Sequence, residues 1–313
     1  MIGPFETVAD GQQPSPRGEA QEALLRWYRP RRRAYPWRTP ARPGARYPDA
    51  YAVLVSECML QQTQAPRVAP AFEAFLQRFP DVGSLAAASK ADVVRAWGRL
   101  GYPRRAVALH AAAVQIVERW HGVVPRDPVA LRALPGVGAY TAAAVASLAY
   151  GVPVAAVDTN VRRIWARVDH GAEPDEVPAR ELAAAADRWL DRRRPAAWNQ
   201  AVMDLGRDVC RTSPRCEACP LRPWCAFAAA GRTGRPSTRR QARFEGSLRQ
   251  VRGAILAELR ERSPRTLGGL ARAAATPVPR AADAVRGLHR DGVVMASRAA
   301  LDGRAGGRVS LDD

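Results

Sequence analysis

The sequence predicts a mainly helical fold followed by a small C-terminal α/β domain. Three observations carry that prediction. Apolar residues recur at helical spacing through most of the chain, and no window before the C-terminal region shows sustained period-two alternation. Glycines and prolines punctuate the helical patterns at short intervals, so the helices are short and so are their links. Near the C-terminus the pattern changes to helices followed by two short strands around a Gly-rich turn.

The elements follow in chain order. Residues 1–16 are polar, with Gly, Gln and Pro, and read as a disordered tail without the apolar core of a signal peptide. Leu24, Leu25 and Tyr28 share one face of a first helix. A Pro/Arg-rich stretch over 30–48 precedes Tyr51, Leu54, Val55 and Cys58, which again recur at helical spacing. Pro66 opens the next helix, since proline suits the first helical positions. Short helices continue to Gly151, and 17–230 reads as the main domain. Residues 231–243 are polar, with Gly, Pro, Ser and Arg, and read as a linker. In 244–313, Val251, Ile255, Leu256 and Leu259 mark a helix, and two shorter helical patterns cover 267–274 and 280–288. Strands over 293–297 and 308–311 complete a winged-helix-like pattern of three helices and a β-hairpin.

Charge narrows the function. The formal net charge is +18, and a field of that sign concentrates polyanions near the surface. Lys90 is the only lysine. A codon bias towards arginine accounts for arginine in place of lysine, but not for the excess over acids, so the balance points to nucleic acid. No run of apolar residues is long enough to span a membrane. The five cysteines comprise Cys58 and a cluster of four, the pattern of a metal site in a reducing compartment. A cytoplasmic protein is therefore expected.

Residues 134–138 read Leu-Pro-Gly-Val-Gly before an Ala-rich helix. Asp127 and Pro128 would cap and open a short helix ahead of them, with Val129, Leu131 and Leu134 as its apolar residues. Gly136 and Gly138 let backbone amides face outward, and the following helix offers its N-terminal dipole, so the turn can hold a phosphate. A plain αα-turn would also use glycine. Twenty residues beyond Gly138 stands Asp158, in Val-Asp-Thr-Asn-Val-Arg-Arg. It suits the N-cap of a helix over 160–168, and a capping carboxylate at a cleft wall can also face a substrate.

Taken together, these two motifs resemble the signature of the helix-hairpin-helix DNA glycosylases. Within that superfamily the segment Val55-Ser56-Glu57-Cys58-Met59-Leu60-Gln61-Gln62-Thr63 is similar to that of MutY-type adenine glycosylases. The resemblance covers about residues 20–230. It implies that Glu57 is the catalytic acid and Asp158 the carboxylate facing the sugar. On pattern alone Glu57 lies at the edge of the buried face and could be a surface glutamate. Burial beside apolar groups would keep its proton available near neutrality. Trp37 and Arg38 resemble the stretch lining the adenine pocket, and Tyr102 the wedge entering the base stack. Gln62 and Thr63 match positions near the opposing base, and Gln200 is a candidate pocket residue. Trp37 and Tyr102 could instead be core aromatics.

Cys210, Cys216, Cys219 and Cys225 form C-x5-C-x2-C-x5-C. Four spaced thiolates in one loop suit a [4Fe–4S] cluster; zinc, which favours two close pairs or histidine, is the alternative. The resembling glycosylases carry such a loop after the catalytic domain, with one more residue in the first gap. Its arginines, Arg211, Arg215 and Arg222, would face DNA. Bifunctional relatives of the endonuclease III type attack the sugar with a lysine two residues after the last hairpin glycine. Tyr140 stands there, so the resemblance implies a monofunctional enzyme. Its expected reaction is removal of adenine opposite 8-oxoguanine or guanine. A thymine or uracil mismatch glycosylase is the alternative, and a non-catalytic DNA-binding protein is disfavoured by the joint presence of Glu57 and Asp158. The expected partner is double-stranded DNA with a mismatch or oxidised base, bound by a monomer associated with the nucleoid. The chain departs from the family at 244–313, which is too short for the Nudix-like domain usual in MutY-type enzymes.

Overall fold

The computed structural model describes residues 15–40, 43–235 and 243–311. The expected tail, apart from its last two residues, and most of the expected linker lie outside the described residues. The chain divides into two compact units, Met1–Arg33 with Pro153–Pro236, and Ala34–Val152 with Ser237–Asp313. None of the described helices is long and apolar enough to cross a membrane.

The first unit is built from segments distant in sequence. Its first helix, Pro16–Tyr28, is capped by Ser15, whose Oγ accepts from the Gly18 amide at 3.2 Å. Leu24, Leu25 and Tyr28 are buried together, the face their spacing predicts. They share a core with Ile164 and Trp165 of the helix Thr159–His170 and with Trp198 and Leu205 of the helix Pro195–Asp208. Trp165 stacks against Trp189 at 5.5 Å and Trp198 at 6.2 Å, so offset aromatic faces fill the middle of the unit. The cysteine loop follows, with single turns of 3-10 helix at Cys216–Ala218 and Arg222–Trp224.

In the second unit the central helix is Ala50–Leu60, with Asp49 as its cap. It packs against the helices Ala65–Arg78, Arg104–Trp120 and Ala139–Tyr150. A helix enclosed on several sides is buried all round, not along one stripe. Tyr51 and every residue from Val53 to Met59 are buried, and Glu57 lies inside the packed surface, not at its edge.

The C-terminal part of this unit has helices Leu248–Glu261, Leu267–Ala273 and Val278–Arg290. Three antiparallel strands, β1 (Arg265–Thr266), β2 (Val294–Ala296) and β3 (Arg308–Leu311), pair in the order β1-β3-β2. The register sets Val294 opposite Leu311 and Arg265 opposite Val309. Two residues are too few to show alternation, so β1 is invisible in the sequence. One helical turn, Arg298–Leu301, occupies part of the expected Gly-rich turn. Ile255, Leu259, Leu270, Val285 and Leu288 form the core here, and that core continues onto Ala91 and Val94 of the helix Lys90–Trp97. Arg260 Nε also donates to the Val94 carbonyl at 3.3 Å.

Candidate active site

The Gly-rich turn joins the helix Pro128–Arg132, capped by Asp127, to the helix Ala139–Tyr150. Gly136 has φ +75°, and a Cβ there would lie 2.7 Å from that of Ala108. Gly138 differs: a Cβ would meet no atom within 4 Å. Packing does not demand that glycine, and nothing crowds the place of its Cβ, as close approach of a phosphate to the backbone would require. Leu131 and Leu134 anchor the turn, but Val129 is 77% exposed, contrary to its expected place among the apolar residues of this helix. A single helical turn can bury only one side. Tyr140 stands half-buried in the first turn of the second helix.

Glu57 is 5% exposed, with Oε2 sealed from solvent, between Ser56 and Cys58 on the central helix. Burial, with the adjacent Glu57 as a lesser cause, pushes the neighbouring Cys58 thiol up to about 12. The turn Pro36–Arg38 packs on the same helix. Its Trp37 is buried, stacked on Tyr35 at 4.8 Å and edge-on to Phe72 at 5.5 Å, while the Arg38 guanidinium lies over Tyr35.

Where the central helix ends, the chain turns through Gln62, with φ +56°, into Thr63. A second turn places Tyr102 at φ +46° and leaves the residue 37% exposed. Left-handed backbone at a residue other than glycine costs on the order of 1–3 kcal/mol, so its neighbours must hold it. Arg105 joins the two turns. Its Nη1 donates to the carbonyls of Cys58 and Met59, both at 2.9 Å, and of Gln61 at 2.6 Å. Its Nη2 donates to Thr63 Oγ1 and the Gly101 carbonyl, both at 3.1 Å. The guanidinium lies 5.4 Å from the centres of both the Trp97 and Tyr102 rings. No sequence signal singled out Arg105, because arginine is so abundant here.

In the first unit Asp158 caps the helix Thr159–His170, its Oδ1 accepting from the Val161 amide at 2.7 Å. Its Oδ2 accepts from Asn160 Nδ2 at 3.0 Å. Asn160 Oδ1 in turn accepts from Arg163 Nη2 at 2.9 Å, and Arg163 Nε donates to the Cys210 carbonyl at 2.8 Å. The segment before Asp158 is held by Asn199, whose amide bonds the Ala156 N–H and the Val154 carbonyl. Gln200 is buried and accepts from the Tyr28 hydroxyl at 2.5 Å. Asn160 and Arg163 stand within the Val-Asp-Thr-Asn-Val-Arg-Arg motif, but only folding shows which groups they and Asn199 bond.

The four loop cysteines line one cavity together with Ile164, Val168, Leu205 and Phe227. Burial raises the Cys219 thiol to about 12 and pushes up those of Cys210 and Cys225, so a set of thiolates here needs cations to balance it. Arg167, paired with Glu173 at 2.8 Å, reaches Cys210 Sγ at 3.7 Å and stacks on Phe227. Among the described residues no three Cys, His, Asp or Glu converge as a single-ion site. Four thiols lining one cavity are the donor set that a [4Fe–4S] cluster takes, and zinc would draw on the same four. Of the loop's expected DNA contacts, Arg222 pairs with Glu217, Arg215 donates to the Asp208 carbonyl, and Arg211 Nε to that of Arg207.

The superfamily of HhH-GPD base excision DNA repair proteins matches residues 55–189. The adenine DNA glycosylase of Mycolicibacterium smegmatis is 46% identical over 239 residues, which are 76% of this chain and 79% of that protein. That of Mycobacterium tuberculosis is 44% identical over 78% of this chain and 80% of its own length. The human adenine DNA glycosylase is 40% identical over 65% of this chain and 38% of its own. Among solved structures, a thermostable thymine-DNA glycosylase superposes with a TM-score of 0.62 at 27% identity, over 68% of this chain and 97% of that one. An endonuclease III bound to DNA shares the fold, with a TM-score of 0.56 at 21% identity over 69% of this chain and 98% of its own.

Proposed function

The chain belongs to the adenine DNA glycosylases of the HhH-GPD superfamily, and on that premise we propose that it is a monofunctional hydrolase removing adenine mispaired with 8-oxoguanine or guanine. The observation that carries the proposal is the burial of Glu57 among apolar neighbours, because an acid must keep its proton near neutrality and an apolar interior favours a neutral carboxyl. Adenine leaves the stack before its glycosidic bond can be reached. Trp37 and Arg38 would line its pocket by the family resemblance, and Gln200 is a further candidate. Glu57 gives its proton to the five-membered ring of the purine. The bond from that ring to the sugar breaks, and its electron pair stays with the base. Asp158 stabilises the positive charge left on the sugar, or captures it transiently at the anomeric carbon. Glu57, now a base, takes a proton from water as the water oxygen bonds to that carbon. The products are free adenine and an abasic site in an unbroken strand. Tyr140 has no amine for strand cleavage, and Lys90, the only lysine, opens a different helix.

Gly136 and Gly138 hold the backbone phosphate, while Gln62, Thr63 and Tyr102 meet the opposing base and the stack. Cys210, Cys216, Cys219 and Cys225 would hold a [4Fe–4S] cluster, which supplies no step of base removal and pins the loop that carries Arg211, Arg215 and Arg222. Residues 17–230 form the glycosylase domain, 231–243 a linker, and 244–313 a winged-helix-like domain that adds DNA contacts. The protein acts as a cytoplasmic monomer.

The likeness to a thymine-DNA glycosylase structure favours thymine as a second reading. One assay separates them: duplexes with A:8-oxoguanine, A:G, T:G or U:G, with products resolved before and after alkali. Adenine release with breakage only after alkali is expected. Release of thymine alone overturns the proposal, and breakage without alkali overturns its monofunctional part.

A further inference from the structure

The two left-handed turns at Gln62 and Tyr102 belong to segments far apart in sequence, yet they share one fastening. We propose that Arg105 is a positioning residue that couples the reading of the opposing base to the insertion of Tyr102. The inference rests on the adenine-glycosylase reading above.

Arg105 is 8% exposed, so its cation has left water and depends on protein acceptors. Those acceptors have a pattern. Three are carbonyls at the end of the Glu57 helix and just beyond it, where backbone oxygens lack helical partners. The other two are Thr63 Oγ1 and the Gly101 carbonyl, one beside each strained residue. The Trp97 indole N–H donates to the same Gly101 carbonyl at 3.1 Å, which fixes the approach to Tyr102 from a second side. The planar fork serves both turns at once while its face supports the Tyr102 ring. Lysine offers a point charge and no such face. Displacing Gln62 or Thr63 by a contact with the wrong opposing base therefore moves the Arg105 fork, and with it Tyr102.

The test uses the full-length protein with Arg105→Lys, and Arg105→Gln as a second variant. Single-turnover adenine release is measured opposite 8-oxoguanine, guanine and cytosine, and 2-aminopurine fluorescence beside the adenine reports unstacking. Iron content and melting temperature monitor folding. The expected result is a rate on the preferred duplex lower by on the order of tenfold, a compressed ratio between opposing bases, and a weaker fluorescence rise. A merely structural role would lower the active fraction equally on every duplex and leave ratio and fluorescence per active site unchanged, which overturns the proposal. So does insolubility of both variants, since Arg105 would then serve folding. A wild-type protein that releases no adenine from any duplex defeats the underlying reading instead, and is seen before any variant is made.

Discussion

The two carboxylates assigned to the reaction are held in opposite ways. Asp158 is surrounded by donors: the Val161 amide on one oxygen and the Asn160 amide on the other. Glu57 is enclosed by the central helix and its neighbours and is almost sealed from solvent. One carboxylate is hydrogen-bonded on both oxygens and the other is withdrawn from water, and the proposed roles of fixed charge and proton donor follow that difference. On the proposed mechanism, the same functional group takes two roles from its surroundings alone.

The strongest attack on that contrast is to remove each chemistry without changing shape. Glu57→Gln and Asp158→Asn should each lower adenine release at least ~100-fold in single-turnover assays while duplex affinity, followed by anisotropy, is retained. Retained activity in either would break the assignment. A smaller effect should follow from the loop behind Asp158. Cys216→Ser should reduce iron content and visible absorption in the purified protein, with lower duplex affinity. A colourless wild-type protein with one zinc per chain and full activity would show that the site holds zinc. Smaller again, Asn160→Ala removes one donor to a charged oxygen. The loss is about 1.5 kcal/mol, roughly tenfold in rate, with Asp158 still capping its helix. An unchanged rate would mean that the cap alone orients the carboxylate. The least effect on chemistry is expected from Leu259→Ala, which empties part of the C-terminal core. It should cost ~2–5 kcal/mol of stability in denaturant melts and leave the rate per folded molecule unaltered.

Much of this was legible in the sequence because it is local. Cysteine spacing, a capping aspartate, a Gly-rich turn and the face of the first helix each occupy one short segment, and the structure finds Asp158 capping the helix that follows it. Glu57 was harder to read. Its spacing marked an edge, and only the three helices around Ala50–Leu60 make that edge an interior. Arg105 could not be found at all, since its acceptors come from Cys58 to Thr63 and from Gly101. The continuation of the C-terminal core onto Ala91 and Val94 was hidden for the same reason. Periodicity reports that a side chain is buried, but not against what.

The split first unit has a further consequence, for synthesis on the ribosome. The Tyr28 hydroxyl meets Gln200 across 172 residues of chain, and Leu24 and Leu25 share the core of that distant helix. At ~5–20 residues per second, the first helix would leave the exit tunnel on the order of 10–35 s before Gln200 does. Until residues 159–208 follow, the native partners of its apolar face are missing, while residues 34–152 of the second unit are already emerging. The nascent chain therefore presents a lone amphipathic helix to whatever binds such surfaces, and a variant with that helix moved to follow residue 235 should need less chaperone assistance.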